Sequence, residues 1–395
     1  MKKITGIFAL LFLLISELRS QDTCTLRISL LTCSPGEELY STFGHSALRV
    51  SDASNGMDVI FNYGTFQFGD DFYTKFIRGK LLYMVSIEDY KDFAAQYRYE
   101  SRTIQEQVLQ LTCAERQALF AALQENAKEE NRYYRYDFLF DNCSTRLRDM
   151  IRKNTQDSVR FGNILPPKIP TFRNLLYTYL DNGAQHWSKF GIDLLLGSRL
   201  DRKVSNEEAM FLPDYLLKGI DRASKGGVKL AAPPQSILTM PSPLKGSSFF
   251  QPMVVFSLLL LLLIVASFVP NKKIQRGLAI FDFSLFFLLG LVGCLLIFMW
   301  TATDHALCKD NYNLLWALPT HAIAAFFLWR KGSLMQYYLL ITIILQAILL
   351  IGWIFLPQQF NLAFLPIILI ILLRCWLLIT KPHMHDNSQT VSVPG

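Results

Sequence analysis

The chain lacks the short patterns that identify most common enzyme classes. It has no CxxC, HExxH, GxSxG or GxxxxGK[ST] pattern, which removes the commonest zinc, serine-hydrolase and nucleotide-binding sites. Its soluble half has no dense basic run, so the net charge of +7 does not indicate binding to nucleic acid. We expect no metal, no cofactor and no nucleic-acid partner.

The N-terminus has the composition of a secretory signal peptide. Lys2 and Lys3 precede the apolar run ITGIFALLFLLIS, which is too short to span a bilayer, and Ser20 is small enough for cleavage after it. No small apolar residues of a lipidation box precede Cys24. We therefore predict a signal peptide at residues 1–20 and export of the remaining chain.

Composition divides the exported chain into a mixed, charged and aromatic half and an almost continuously apolar half. A stretch rich in Pro, Ser and Gly, AAPPQSILTMPSPLKGSS, lies between them and is typical of a linker. The predicted parts are a domain at 21–235, a linker at 236–251, a transmembrane region at 252–380 and a tail at 381–395. Five apolar stretches approach membrane length: 252–269, 278–300, 314–329, 335–355 and 362–379.

The charges between these stretches predict the orientation. One set of loops and ends carries Lys272, Lys273, Arg276, Arg330, Lys331 and Lys381. The opposite loops carry only Lys309, which has Asp304 and Asp310 nearby. Positive residues remain in the cytoplasm. We therefore predict a multi-pass protein of the inner membrane with residues 21–250 in the periplasm and residues 381–395 in the cytoplasm.

The seven cysteines fall into two groups. Cys294, Cys308 and Cys375 belong to the apolar half, and Cys24, Cys33, Cys113 and Cys143 belong to the exported domain. A disulfide among Cys24, Cys33 and Cys113 is expected in an oxidising compartment, which leaves Cys143 as the odd thiol.

Cys143 lies where a helix is expected to begin. Asp141 and Asn142 are residue types that cap helix N-termini, and the following STRLRDMIRK has helical composition. Free N–H groups and the helix dipole at such a position favour the thiolate, which is the nucleophilic form of cysteine. Cys143 is therefore the candidate nucleophile.

The domain is predicted to be α+β, with strands before helices. Strand composition marks LRISLLTC, SALRVSD, DVIFNYG and KLLYMVSIE, and capping boxes at Thr112–Glu115 and Ser205–Glu208 predict the starts of two helices. Alternation turns His45 away from the more apolar face of its strand and places Asn62 on one face of the next strand. If the two strands pair, Asn62 is the best-placed polar group to orient the His45 imidazole.

A strand-borne His before a helix-start Cys resembles the circularly permuted papain-like arrangement of NlpC/P60-like enzymes. More specifically, TCSPGEELYSTFGHSALRV, FNYGTFQFGDDF, YDFLFDNCSTRLRD and DHALCKDNYNLLWALPTHAIA resemble the Lnb family of lipoprotein N-acyltransferases, in the order found in that family. The resemblance extends from Leu26 to about Thr380. It implies a papain-like periplasmic domain followed by a five-helix transmembrane bundle, with Cys143 as nucleophile and His45 as base.

The same resemblance implies the substrates. A membrane phospholipid would give an acyl chain to Cys143, and the α-amine of diacylglyceryl-cysteine on a lipoprotein would accept it. Arg146 and Arg148 are candidates for binding lipid phosphate, with solvated helix-face charge as the equal alternative. His305 and His321, near the outer ends of predicted spans, are further candidates for substrate binding, although the surrounding NLLWALPTH is also consistent with a simple membrane-entry segment.

Two other functions fit the same residues. A membrane-anchored cysteine peptidase or amidase that cleaves cell-wall peptides needs the same Cys and His, but only a single anchor. In the second alternative the bundle is a transporter or receptor and the exported domain is a binding module, which predicts tolerance of Cys143→Ser.

The predicted topology can be tested by labelling. A membrane-impermeant thiol reagent applied to intact spheroplasts should label a cysteine introduced at Gln359 and not one introduced at Gly332. The two positions follow consecutive apolar stretches and therefore lie on opposite sides in the predicted topology. Labelling of Gly332→Cys alone would contradict the predicted orientation.

Overall fold

The computed structural model describes residues 24–67, 69–156, 158–241, 249–330 and 332–380. The predicted signal peptide and cytoplasmic tail lie outside these ranges. The strands are Leu26–Cys33 (β1), His45–Asp52 (β2), Met57–Thr65 (β3), Leu82–Asp89 (β4), Ile104–Val108 (β5), Tyr133–Arg135 (β6), Val159–Arg160 (β7), Ser224–Lys225 (β8), Val228–Lys229 (β9) and Gln235–Leu238 (β10).

A seven-stranded sheet organises the N-terminal half. Its order is β10-β5-β1-β2-β3-β4-β6, and every neighbouring pair is antiparallel. The four strands predicted from composition are confirmed as β1 to β4, and so is the α+β class. β7, β8 and β9 form a separate small sheet.

Helices cover this sheet. In the N-terminal half they are Phe72–Ile77 (α1), Tyr90–Tyr99 (α2), Cys113–Asn126 (α3), Cys143–Lys153 (α4), Phe172–Asn182 (α5), His186–Leu195 (α6) and Pro213–Asp221 (α7). The capping box at Thr112 starts α3 as predicted. The helix predicted after Ser205 is wrong as one continuous element. A 3-10 turn at Glu208–Phe211 is followed by extended Leu212, because Pro213 disfavours a helical residue before it and starts α7.

Apolar residues are buried on both faces of the sheet. The main core packs Leu30, Leu48 and Phe61 of the sheet with Leu119 of α3 and Leu147 of α4. The opposite face buries a smaller cluster that includes Cys33, Ala47, Ile60, Phe93 and Ile104. Sheet alternation therefore separates the side chains of β2 between two cores, as a strand covered on both faces requires.

A disulfide joins Cys24 to Cys113 and so ties the start of β1 to the first turn of α3. The predicted disulfide among the first three cysteines is confirmed in this pairing. By loop-closure entropy, a crosslink over 89 residues stabilises the fold by about 4 kcal/mol. Cys33 and Cys143 both remain as buried free thiols.

The prediction that residues 236–251 are only a linker is wrong at their start. Gln235–Leu238 forms β10, which pairs with β5 at the edge of the sheet. An edge strand with an irregular register tolerates a sequence that is poor in β-branched residues.

The helices of the C-terminal half are Pro252–Phe268 (α8), Lys272–Thr301 (α9), Thr320–Ala324 (α10), Ser333–Gly352 (α11) and Phe364–Thr380 (α12). By length and composition α9 and α11 can cross a membrane, whereas α8 and α12 are apolar helices of 17 residues. The third predicted span, 314–329, is wrong as a continuous helix. Pro319 lacks a backbone N–H, and α10 has only five residues. Gly290 of α9 lies so close to Ala322 that a Cβ there would clash with it.

The two halves meet through a buried polar junction. Arg173 is fully buried and donates to Asp193 Oδ1 at 2.6 Å and to Asp201 Oδ1 at 2.8 Å. Asp193 accepts from Asn361 Nδ2 at 2.8 Å through its second oxygen, and its carbonyl accepts from Asn313 Nδ2 at 2.8 Å. Directional contacts of this kind hold α5 and α6 in one orientation on the C-terminal half.

A buried ion pair links three helices of the C-terminal half. Arg374 of α12 donates to both carboxylate oxygens of Asp282 in α9, at 2.6 and 2.8 Å, and to Ser267 Oγ in α8 at 2.7 Å. The bidentate geometry satisfies both charges where water is excluded. Arg374 was not predicted to form a contact, because it lies within an apolar stretch.

The buried pair of Arg374 and Asp282 predicts that substitutions of the two residues have non-additive effects on the Tm. Arg374→Met should lower the Tm in detergent by several degrees, because removing one partner of a buried pair costs about 3–5 kcal/mol. Asp282→Leu combined with Arg374→Met should recover much of the loss, since no unpaired charge remains buried. A double variant whose Tm loss equals the sum of the single losses would contradict coupling between the two side chains.

Candidate active site

Cys143 is the first residue of α4, and its position is fixed by the cap of that helix. The Asn142 side chain accepts from Thr145 N at 2.9 Å, and Thr145 Oγ1 accepts from Asn142 N at 2.8 Å. Asn142 Nδ2 also donates to the carbonyls of Phe138 and Phe211, both at 2.8 Å. The predicted cap is therefore confirmed, and the thiol lies in the first turn, where N–H groups lack partners within the helix.

Hydrogen bonds attach this end of α4 to the sheet. Ser144 Oγ lies 3.1 Å from Ser46 Oγ of β2 and 3.9 Å from Cys143 Sγ. Cys143 itself is buried, with 9% of its surface exposed. The thiol is therefore shielded from bulk water while it faces the start of β2.

His45 begins β2 directly after a glycine that the backbone requires. Gly44 has a φ of +79°, and a Cβ at this position would lie 2.7 Å from the Cys33 carbonyl oxygen. Any other residue would strain the left-handed conformation and push β1 away. The tight approach brings the half-buried imidazole to the start of the strand beside Cys143.

Asn62 of β3 contacts the imidazole, as strand alternation predicted. Asn62 Oδ1 lies 2.7 Å from His45 Nε2, and Asn62 Nδ2 donates to Glu88 Oε1 of β4 at 2.8 Å. The Glu88 carboxylate only accepts hydrogen bonds, so it holds the amide with its oxygen toward His45. His45 Nε2 is then the donor, which leaves Nδ1 to accept a proton from the thiol.

Electrostatics favour the ionised form of this pair. Burial alone would raise the pKa of the Cys143 thiol, but the charge of His45 and hydrogen bonds from His45, the Ser46 backbone and Ser144 bring it below its ordinary value. Burial would likewise lower the pKa of His45, but the charge of Cys143 and hydrogen bonds to Cys143 and Asn62 raise it. Opposite shifts of two neighbouring groups are typical of a thiolate–imidazolium pair.

Two family models match the chain on either side of the junction. Residues 16–178 match the Lnb N-terminal periplasmic domain, and residues 245–383 match the Lnb transmembrane domain. The chain belongs to the Lnb family. No curated protein and no solved structure matches it. Family membership identifies a membrane protein with a periplasmic domain and suggests an enzyme that processes lipoproteins, and Cys143, His45 and Asn62 all lie within that domain.

The two arginines after Cys143 already have partners in this Lnb-family domain. Arg146 pairs with Asp141 at 2.6 Å and its guanidinium lies 3.5 Å from the centre of the Tyr134 ring. Arg148 donates to Asp149 at 2.8 Å and to the Glu207 carbonyl at 2.7 Å. Both side chains stabilise the surroundings of α4, and their role in binding lipid phosphate stays a prediction.

The two candidate histidines of the C-terminal half lie apart from each other. His305 Nε2 is 3.0 Å from the Phe76 carbonyl oxygen, so it contacts α1 of the periplasmic domain. His321 is fully buried, with Nδ1 2.7 Å from Tyr338 Oη of α11. His321 therefore packs inside the bundle, and a substrate role for either histidine stays a prediction.

Several residues of the site were not predicted from the sequence. Glu88 could have been found from alternation, because Asn62 pairs with Ser86 and Glu88 lies two residues further along β4 on the same face. No pattern in the sequence predicts that Ser46 or Gly64 lies beside Cys143. Gly64 has a φ of +90° beside an irregularity in β3, and a Cβ there would lie 3.8 Å from Cys143 Cβ. Among the described residues, no three His, Cys, Asp or Glu side chains form a metal-binding group.

The lowered pKa of the Cys143 thiol predicts how fast Cys143 reacts with alkylating reagents. His45→Ala should slow alkylation of Cys143 by iodoacetamide at pH 7 by about tenfold or more, because loss of the imidazole leaves burial to raise the thiol pKa, and one pKa unit is tenfold in thiolate. Modification is measured on the Cys143 peptide by mass spectrometry.

His186→Ala is the matched control, because His186 begins α6 and is not among the groups that shift the pKa of the Cys143 thiol; it should leave the rate unchanged. Asn62→Ala should remove a hydrogen bond that raises the His45 pKa, so the imidazolium should deprotonate at lower pH than in the wild type. Equal alkylation rates in the wild type and His45→Ala would contradict the ion pair.

Proposed function

We propose that this protein is a lipoprotein N-acyltransferase that carries a fatty acyl chain from a membrane phospholipid to a lipoprotein through a thioester on Cys143. The arrangement of Cys143, His45 and Asn62 at the start of a helix in a membrane-attached domain is the observation that carries this proposal. It supplies a nucleophile, a base and a group that orients the base. A helix-start Cys packed against an antiparallel sheet that bears the His and Asn also supports the permuted papain-like fold.

In the first half-reaction, the Cys143 thiolate attacks the carbonyl carbon of a phospholipid ester. The C–S bond forms, the C–O bond breaks, and the His45 imidazolium gives its proton to the departing alkoxide. The products are a lysophospholipid and an acyl thioester on Cys143. His45 is then neutral and ready to act as a base.

In the second half-reaction, the free α-amine of a diacylglyceryl-cysteine attacks the thioester carbonyl. The C–N bond forms and the C–S bond breaks, and His45 takes the proton released by the amine. The product is an amide, and the thiolate–imidazolium pair is regenerated. The hydrogen bond from His45 to Asn62 keeps the ring in one orientation through both proton transfers.

The backbone provides the stabilisation of the tetrahedral intermediates. The N–H of Cys143 belongs to the first turn of α4, which has no intrahelical acceptor for it, and it lies next to the reacting carbon of the thioester. A donor of this kind contributes about 3–4 kcal/mol to transition-state stability in other enzymes. The positive end of the helix dipole acts in the same direction.

Attachment to the membrane fits substrates that carry lipid tails. The buried junction around Arg173 and Asp193 holds the domain against the apolar helices, so donor and acceptor that partition into the bilayer reach Cys143 by local diffusion. A peptidase would gain little from this arrangement, because cell-wall peptides do not partition into the bilayer.

The thioester gives a direct test. Incubation of the full-length protein with phospholipid and no acceptor should leave a fatty-acyl adduct on Cys143 that hydroxylamine removes. Addition of a diacylglyceryl-cysteine peptide should transfer the chain into an amide that resists hydroxylamine. Cys143→Ala should form no adduct, and His45→Ala should form at least about a hundredfold less, the range that general base catalysis contributes.

Cys308→Ala is the matched control, since Cys308 is also a buried free thiol but lies in the C-terminal half, and it should retain the wild-type adduct on Cys143. Cleavage of cell-wall peptides that depends on Cys143, with no acyl adduct from any phospholipid, would favour the peptidase or amidase instead.

A further inference from the structure

An exposed apolar segment extends from α1 toward β4. Tyr73 is 72% exposed, Phe76 51%, Ile77 49% and Leu82 48%. A soluble domain rarely exposes so many large apolar side chains close together, and such a patch marks a surface that meets protein or membrane. The short α1 has Phe72 buried beneath it, so the exposed side chains project away from the domain.

This segment is attached to the end of an apolar helix. Three residues after α9 ends, Asp304 N donates to the Arg78 carbonyl at 2.9 Å, and His305 Nε2 donates to the Phe76 carbonyl at 3.0 Å. Gly79 has a φ of +69°, and a Cβ there would lie 3.1 Å from His305 N. α1 therefore lies beside the C-terminal end of α9, where Ile297 and Phe298 are exposed apolar residues of the bundle.

The charges of the segment suit a lipid headgroup region. Lys75, Arg78 and Lys80 are exposed within six residues of sequence. Lys75 pairs with Asp71 at 2.7 Å, whereas among the described residues no ion pair involves Arg78 or Lys80. Basic side chains beside aromatic and aliphatic ones are typical of segments that lie in a membrane interface and contact phosphates.

A row of aromatic rings connects this segment to the active site. Phe76 stacks on Phe72 with ring centres 6.1 Å apart, and Phe72 lies 5.6 Å from Phe66. Phe66 lies 5.4 Å from Tyr83, which stacks on Tyr136 at 4.3 Å. The row ends beside Gly64, where a Cβ would lie 4.0 Å from Tyr136 Cε2 and 3.8 Å from Cys143 Cβ.

We propose that α1 inserts into the membrane leaflet on the side of the periplasmic domain, and that the aromatic row guides the acyl chain of a phospholipid from that leaflet to Cys143. This inference rests on the proposed function for the reaction at its inner end. Phe76 and Phe66 are exposed and Tyr83 and Tyr136 are half-buried, so the acyl chain can follow the exposed parts of these rings toward the thiol.

Photo-crosslinking tests the insertion without relying on acyl transfer. The full-length protein, reconstituted in vesicles of phosphatidylethanolamine and phosphatidylglycerol, should form phospholipid adducts on irradiation when benzoylphenylalanine replaces Phe76. The same residue in place of Tyr99, which is 91% exposed at the end of α2, is the matched control and should give at least tenfold fewer adducts. Equal yields at the two positions would overturn the inference.

A substrate comparison tests the guiding role. Phe76→Asp should slow acylation of Cys143 by vesicle phospholipid at least tenfold, because a carboxylate resists entry into the leaflet. It should change acylation by a short water-soluble ester less than twofold, because the catalytic groups are untouched. Tyr99→Asp should change neither rate, and an equal loss with both substrates in Phe76→Asp would overturn the guiding role.

The two tests distinguish this inference from the proposed function. Acylation of Cys143 by vesicle phospholipid at the same rate in the wild type and Phe76→Asp would keep the acyltransferase and overturn the role of α1. Phospholipid adducts at position 76, with no acyl adduct on Cys143 in any condition, would keep the insertion of α1 and overturn the acyltransferase.

Discussion

The capped start of α4 is the constraint on which the rest of the site depends. Asn142 uses its side chain to bind Thr145 N and two distant carbonyls, so this cap attaches the first turn of the helix to the preceding loop and to the 3-10 turn before α7. Loss of any one contact would let the turn fray. Because Cys143 follows directly, the thiol would then lose both its position and the field of the helix dipole.

Burial acts on the Cys143 thiol in two opposing ways. A dry site protects a thioester from water, but the same burial disfavours the thiolate and would leave the group protonated. The hydrogen bonds from Glu88 through Asn62 to His45 allow the thiol to be both buried and ionised. They stabilise the His45 imidazolium, and its charge lowers the pKa of the Cys143 thiol. The side chains that orient His45 therefore also favour the thiolate of Cys143.

Contacts that follow from local propensity or from the pairing of consecutive strands were predictable, and contacts between elements distant in sequence were not. The cap at Asn142 and the His45–Asn62 contact follow from local propensity and from alternation on two adjacent strands. The break in the segment 314–329 could have been predicted from Pro319, whereas β10 depends on a partner strand about 130 residues earlier. Arg374 was missed because hydropathy averages one charge into an apolar window, although Asp282 compensates it.

The contacts that join the two halves are separate from the contacts that build the site around Cys143. Arg173, Asp193 and Asn361 fix the domain on the bundle through contacts that do not involve the groups around Cys143. At α1, Asp304 and His305 donate to the carbonyls of Arg78 and Phe76. These two hydrogen bonds do not involve the exposed side chains of α1. A substitution on the exposed face of α1 therefore leaves the contacts of His45 in place, whereas a substitution in the junction would disturb the contact of the domain with the C-terminal half.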